Sequence, residues 1–137
     1  MSLVLDSSAA LAWIFDDETT PAIRQVFEGV AEHGAVVPGL WWLEVAHSLT
    51  MAVRRKRIET GFRRAALSDL GLLDIATDQQ TAAQAWAGTL ALADEHRLTV
   101  YDAAYLELAR RRGLPLATLD QALRDAGAAV GVVVVGR

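Results

Sequence analysis

Short apolar runs that stop on a polar residue alternate with longer stretches whose apolar positions recur every three or four residues. Residues 3–5, Leu-Val-Leu, end on Asp6 and two hydroxyls, Ser7 and Ser8, before helix formers begin at Ala9. That reads as a buried strand, a carboxylate at its C-terminal lip, and a helix running to about Phe15. After a polar turn over 16–20, Thr20-Pro21 supplies a cap and a first helical position. Ile23, Val26, Phe27 and Val30 then mark an apolar helix face, and Gly34 ends it. A second strand is expected at 35–38, stopped by Pro38-Gly39. A long helix follows from Leu40 to about Arg57, with Trp42, Val45, Ala46, Leu49 and Val53 as its core stripe. The pattern next predicts a helix over 60–71, a third strand over 72–76, and a helix capped by Thr77-Asp78 that continues to about His96. Residues 98–101 read as irregular, and Asp102 opens a helix that Gly113 closes. A fourth strand over 115–119, a helix to about Ala126 and a terminal strand over 130–135 complete the chain.

Strands alternating with helices imply an α/β fold: three layers, α/β/α, around a mostly parallel sheet of about five strands with right-handed crossovers. Ligands in such sheets bind beyond the carboxyl ends of the strands, where strand order reverses. With 137 residues and 53% hydrophobic content, one domain spanning residues 1–137 is expected, large enough for a core without staples. The absence of Cys removes disulfides, thiolate metal sites and cysteine nucleophiles, and it fits a reducing cytoplasm. No secretory leader and no membrane-spanning run is visible, so neither export nor a membrane is expected.

Most of the 17 acids lie in polar stretches or at helix ends. Four do not. Asp6 follows Leu3-Val4-Leu5, and Glu44 is set in Leu40-Trp41-Trp42-Leu43-Glu44-Val45-Ala46. Asp102 sits in Val100-Tyr101-Asp102-Ala103-Ala104, and Asp120 follows Leu116-Ala117-Thr118-Leu119. A carboxylate in apolar company is costly unless it is paired or binds a cation. All four fall at strand ends or early helix turns, which share one rim of a parallel sheet. No lysine in these segments neutralises them, and oxygen ligands of this kind suit Mg²⁺ or Mn²⁺. Taken singly, Asp6, Asp102 and Asp120 read more readily as helix caps than as ligands, and Glu44 also reads as a solvent-facing residue. Asp74 also has apolar neighbours and is expected to point out from an edge strand, so only the combination of four selects a site. Ser7, Ser8 and Thr118 are candidates to hold a carboxylate through a hydroxyl. His47, one turn from Glu44, is a weaker candidate for the same surroundings.

The net charge of −4 argues against coating nucleic acid by charge alone. The basic residues nevertheless cluster, at 54–57, 63–64 and 110–112. The last group reads as cations at a helix C-terminus. Arg54, Arg55, Lys56 and Arg57 are candidates to grip a nucleic-acid backbone, because arginine meets phosphate in a bidentate fork.

The segments around Asp6, Glu44, Asp102 and Asp120, with Tyr101-Asp102-Ala103-Ala104-Tyr105-Leu106 and Ala117-Thr118-Leu119-Asp120 the most specific, resemble the PIN-domain ribonucleases, and among them the VapC-type toxins of bacterial toxin–antitoxin pairs. The resemblance covers nearly the whole chain in the expected order. It implies a Mg²⁺- or Mn²⁺-dependent endoribonuclease whose acidic cluster is Asp6, Glu44, Asp102 and Asp120, with Thr118 at the hydroxyl position before the last acid. It also implies an RNA substrate, a homodimer, and a cognate antitoxin that covers the active site. His47 stands where the family often has Asn. In the expected mechanism Asp6 and Asp102 are the main metal ligands, and Glu44 and Asp120 complete the shell partly through waters.

Two other readings remain in view. A receiver-like phosphoacceptor domain shares the fold class and size, but it needs an Asp directly after the third strand and a Lys after the fifth. Here the third strand is followed by Thr77-Asp78, and no Lys follows Lys56. A PIN-like module without catalysis, acting only by binding, is opposed by the presence of all four acids.

Overall fold

The computed structural model describes residues 2–137. Strand β1 (Leu3–Leu5) is buried at every position, because it lies in the middle of the sheet. The other strands are β2 (Ala35–Val37), β3 (Ile75–Thr77), β4 (Leu116–Ala117) and β5 (Val134–Val135), in the spatial order β3-β2-β1-β4-β5. Every pairing is parallel: Leu3 opposite Ala35, Val4 opposite Leu116, Val36 opposite Ala76, and Ala117 opposite Val135. A central parallel strand is covered on both faces, so it reads as an unbroken apolar run and not as an alternating one.

Eight α-helices cover the sheet among the described residues. They are α1 (Ser7–Ile14), α2 (Pro21–His33), α3 (Leu40–Arg54), α4 (Thr60–Gly71), α5 (Thr81–Gln84), α6 (Gly88–His96), α7 (Val100–Arg112) and α8 (Gln121–Ala129), with a 3₁₀ turn at Asp16–Glu18. Thr20 caps α2 through a hydrogen bond from Ile23 N, with Pro21 at the first helical position, as the sequence predicts. Gly34 closes α2 at φ +78°, and a β-carbon there would stand 2.9 Å from the Asp74 carbonyl. Both the left-handed backbone and the close approach require glycine. No described helix is long and apolar enough to cross a membrane.

The structure departs from the sequence pattern in several places. The buried face of α3 is Trp41, Val45, Leu49 and Ala52; Trp42 is exposed instead, and its indole N–H donates to Thr77 Oγ1 at 2.8 Å. The helix ends at Arg54, and the chain turns through Lys56 at φ 60°. Leu72 and Leu73 do not begin β3; their amides bond back to the last turn of α4, and Leu72 is exposed. The helix expected up to His96 is broken between α5 and α6. The next begins at Val100 and not Asp102, because Thr99 Oγ1 accepts the Asp102 amide and so caps two residues earlier. Residues 130–133 turn before the short β5 instead of extending it, and α8 runs three residues past Ala126.

Helix α7 is enclosed by α5, α6, α8 and the sheet, and every residue from Ala103 to Ala109 is buried. A helix buried all round is expected to be apolar all round. Glu107 breaks that rule, and Arg111 one turn on resolves it. Arg111 donates to Glu107 at 2.6 Å and to Asp78 at 2.7 Å, and Asp78 also accepts from Thr81 Oγ1 at 2.8 Å. This triad ties α7 to the start of α5. Burial raises the Asp78 carboxyl, but the Arg111 hydrogen bond and charge, with Thr81 and the Gln80 amide, outweigh it and hold it below the usual range.

Candidate active site

From β1 the chain moves outward to β2 and β3, then returns past β1 to β4 and β5. Strand order therefore reverses between β1 and β4, and the crevice for a ligand opens above their C-terminal ends. Asp6 stands at the first of these ends and Thr118 at the second.

Asp6 occupies the cap position of α1, but its side chain makes no capping hydrogen bond. The carboxylate is only 4% exposed. Two hydroxyls hold its Oδ2 instead, Ser8 Oγ at 2.5 Å and Thr118 Oγ1 at 2.7 Å. Each hydroxyl has one proton to give, and each spends it on Asp6. Their lone pairs are used as well: Ser8 Oγ accepts the Leu119 amide at 3.0 Å, and Thr118 Oγ1 accepts the Asp120 amide at 3.1 Å. The end of β4 and the start of α1 are thus laced together around one carboxylate. Ser8, rather than Ser7, makes the contact; Ser7 faces Glu44 and Tyr105.

Glu44 enters from the second turn of α3 and is half-buried. Its Oε1 accepts the Tyr105 hydroxyl at 2.5 Å, which links α3 to α7 across the crevice. Asp102 lies in the first turn of α7 and Asp120 caps α8, with its Oδ2 accepting the Leu123 amide at 2.9 Å. The cap reading therefore holds for the Asp120 side chain and fails for that of Asp6.

The acids sense one another. Burial, with the Glu44 charge, pushes the Asp6 carboxyl up against the opposing hydrogen bonds of Ser8 and Thr118. Burial and the Asp102 charge raise Glu44, although the Tyr105 hydrogen bond pulls the other way. Burial, then the charges of Asp6 and Asp120, raise Asp102. Burial and the Glu44 contact raise the Tyr105 phenol, so it stays a donor. None of the four acids has a Lys, Arg or His partner within salt-bridge distance among the described residues.

Uncompensated carboxylates on one rim suit a hard divalent cation. Among the described residues, however, no three acids or histidines draw close enough to form a ready-made cage. A donor set of this kind fits an ion that keeps several waters, as Mg²⁺ does, better than one that demands a full protein shell.

The basic candidates lie elsewhere. Arg54 is ten residues beyond Glu44 along α3, about 15 Å at the helical rise. Arg57 is committed within the fold: its guanidinium donates to Asp17 at 3.0 Å and Glu18 at 2.8 Å, and lies 3.8 Å over the Phe15 ring. Arg54, Arg55 and Lys56 are exposed and carry no ion pair among the described residues. His47 is exposed and lines a groove of about 440 Å³ with Leu11, Phe15 and Arg55. Tyr105 is the one contact to the acids that the sequence pattern does not single out, and the need of a buried tyrosine for a hydroxyl partner is the signal that marks it.

This fold and its rim of acids define a PIN domain. The family model described as PIN domain matches residues 3–129, and the chain belongs to that family. Ribonuclease VapC3 of Pyrobaculum aerophilum is 32% identical over 126 residues, which span 91% of this chain and 94% of that protein. The crystal structure of PAE2754 from Pyrobaculum aerophilum shares the fold with a TM-score of 0.69 at 22% identity, over 98% of this chain and 92% of the other. The crystal structure of FitAcB from Neisseria gonorrhoeae gives a TM-score of 0.56 at 17% identity, over 98% and 96%.

Proposed function

We propose that this chain is a metal-dependent endoribonuclease, the toxin of a toxin–antitoxin pair, built as one domain over its whole length. The observation that carries the reading is Asp6: a buried carboxylate, freed from capping, held by two hydroxyls and raised by its burial and then by the Glu44 charge. Similarity to a protein named ribonuclease supports the substrate class.

Asp6 and Asp102 would be the main residues to hold Mg²⁺ or Mn²⁺, and Glu44 and Asp120 would complete the shell, partly through waters. When bound, the ion polarises the scissile phosphate, lowers the pKa of a water and stabilises the leaving oxygen. Ser8 and Thr118 keep Asp6 in one orientation, and Tyr105 does the same for Glu44. Glu44, half-buried and held by Tyr105, would orient the attacking water. The cytoplasm, a homodimer and a cognate antitoxin over the crevice belong to the same reading.

The test is cleavage of single-stranded and structured RNA by the purified protein with Mg²⁺ or Mn²⁺. Asp6→Asn is expected to lower the rate by more than the roughly 10–100-fold typical of losing a supporting partner, while the protein stays folded. Cleavage that persists in EDTA, or in that variant, sinks the mechanism.

A further inference from the structure

The rim bears a second cluster of like charges, of opposite sign, over the ends of β4 and β5. Arg124 lies one helical turn beyond Asp120 on α8, and its Nη1 donates to two carbonyls, Thr118 O at 2.7 Å and Val135 O at 3.1 Å. Arg137 donates through Nη1 to Gln121 Oε1 at 2.5 Å and through Nη2 to Leu119 O at 3.2 Å. Both guanidiniums are thus fixed by neutral acceptors, and neither has a carboxylate within 4 Å among the described residues. The acids of α8 are engaged elsewhere: Asp120 caps the helix and Asp125 accepts from Gln121. Burial and the neighbouring Arg137 charge both press the Arg124 guanidinium below its ordinary value, so the two cations are near enough to repel.

Two repelling guanidiniums anchored to backbone, with Arg124 Nε and Nη2 and Arg137 Nε still to donate, form a receptor for an anion. Their place says which anion. Thr118 joins the two clusters: its hydroxyl holds Asp6 and its carbonyl holds Arg124. We propose that Arg124 and Arg137 form a clamp for a backbone phosphate of RNA, adjoining the phosphate held at the acids. This rests on the ribonuclease reading and gives it a direction, with the strand running out over β4 and β5. The opposite end, at 54–57, has its Arg57 already tied to Asp17 and Glu18.

The experiment is binding of a fluorescein-labelled single-stranded oligoribonucleotide in EDTA, followed by anisotropy from 50 to 200 mM KCl, beside cleavage with Mg²⁺. Arg137 makes only exposed hydrogen bonds, so Arg137→Ala is expected to keep its melting temperature. Losing one phosphate contact flattens the slope of log K against log salt by about 0.7, which is about fivefold in affinity at 0.1 M. Arg124→Gln is expected to do likewise, and the double variant to lose about twice the slope. Arg124→Lys is expected to recover most of the slope, since it keeps the charge. If the parent binds RNA and neither variant alters affinity or slope, the clamp is wrong and the nuclease reading stands. If the parent neither binds nor cleaves RNA, both fall. If the variants lose binding to poly-glutamate but not to RNA, the pair is a protein contact and the phosphate assignment is overturned.

Discussion

Replacing Arg111 with methionine removes the one cation from a pair of buried acids. The side chains of Asp78 and Glu107 are 4% and 6% exposed, while that of Arg111 is 25% exposed. Breaking a buried pair by deleting one partner costs about 3–5 kcal/mol. Asp78 keeps Thr81 and the Gln80 amide, but Glu107 has no other hydrogen-bond partner among the described residues. The expected loss at pH 7 is therefore in the middle of that range, about 4 kcal/mol, a fall of roughly 10 °C in melting temperature. Asp78 is depressed in the parent's fold, so its share of the stability is present above about pH 4 and is lost as the pH falls through the folded value. The difference between parent and variant therefore shrinks in acid, and urea denaturation of both proteins at pH 7 and pH 3 reads it. A loss under about 1 kcal/mol at pH 7, or one that does not shrink in acid, refutes the account of the triad.

Tyr105→Phe takes the hydroxyl from Glu44, which is half-exposed and can recover water, so stability should fall by less than about 1.5 kcal/mol. Cleavage should fall by about 10–100-fold; an undiminished rate in a folded variant would show that the contact only packs α3 on α7. The acids of the crevice also predict a pH profile. In EDTA, Asp6, Glu44 and Asp102 are raised in the fold, so the folded state holds more protons than the unfolded one. Stability from these groups is fully present below about pH 4 and is lost as pH rises through their folded values. Mg²⁺ at a hundred times its dissociation constant should restore about 2.7 kcal/mol at neutral pH. Melting curves from pH 5 to 8 with and without Mg²⁺ test this, and a flat profile in EDTA would contradict it.

The end of β1 was legible because a carboxylate directly after three buried apolar residues is costly, and that cost marks Asp6 in the sequence itself. The α3 phase was not. Trp41 and Trp42 are adjacent and both apolar, and only Thr77, 35 residues on, gives one indole a polar partner and leaves the other to the core. The indole N–H of Trp41, without a hydrogen-bond partner among the described residues, is the cost of that choice. Glu107 carried the same signal as the four crevice acids, an acid in apolar company, and Arg111 stood at the spacing of a helical pair. It was masked by the run of three arginines, which reads as a solvated helix end. Its other partner, Asp78, is 33 residues away and visible only in three dimensions. Local chemistry marks costly residues; it does not say which distant residue relieves the cost.

The place of β1 bears on how the chain is made. Asp6 is made 112 residues before Thr118, one of the two hydroxyls that hold it. Until β4 exists, one edge of the central strand lies open and the crevice has only one wall. At about 5–20 residues per second, several seconds separate the first carboxylate from the last. A nascent chain still lacking Thr118 and Asp120 holds Asp6 and Glu44 without the frame that brings them into register. The assembly of the acidic rim is thus deferred by topology until β4 has been made.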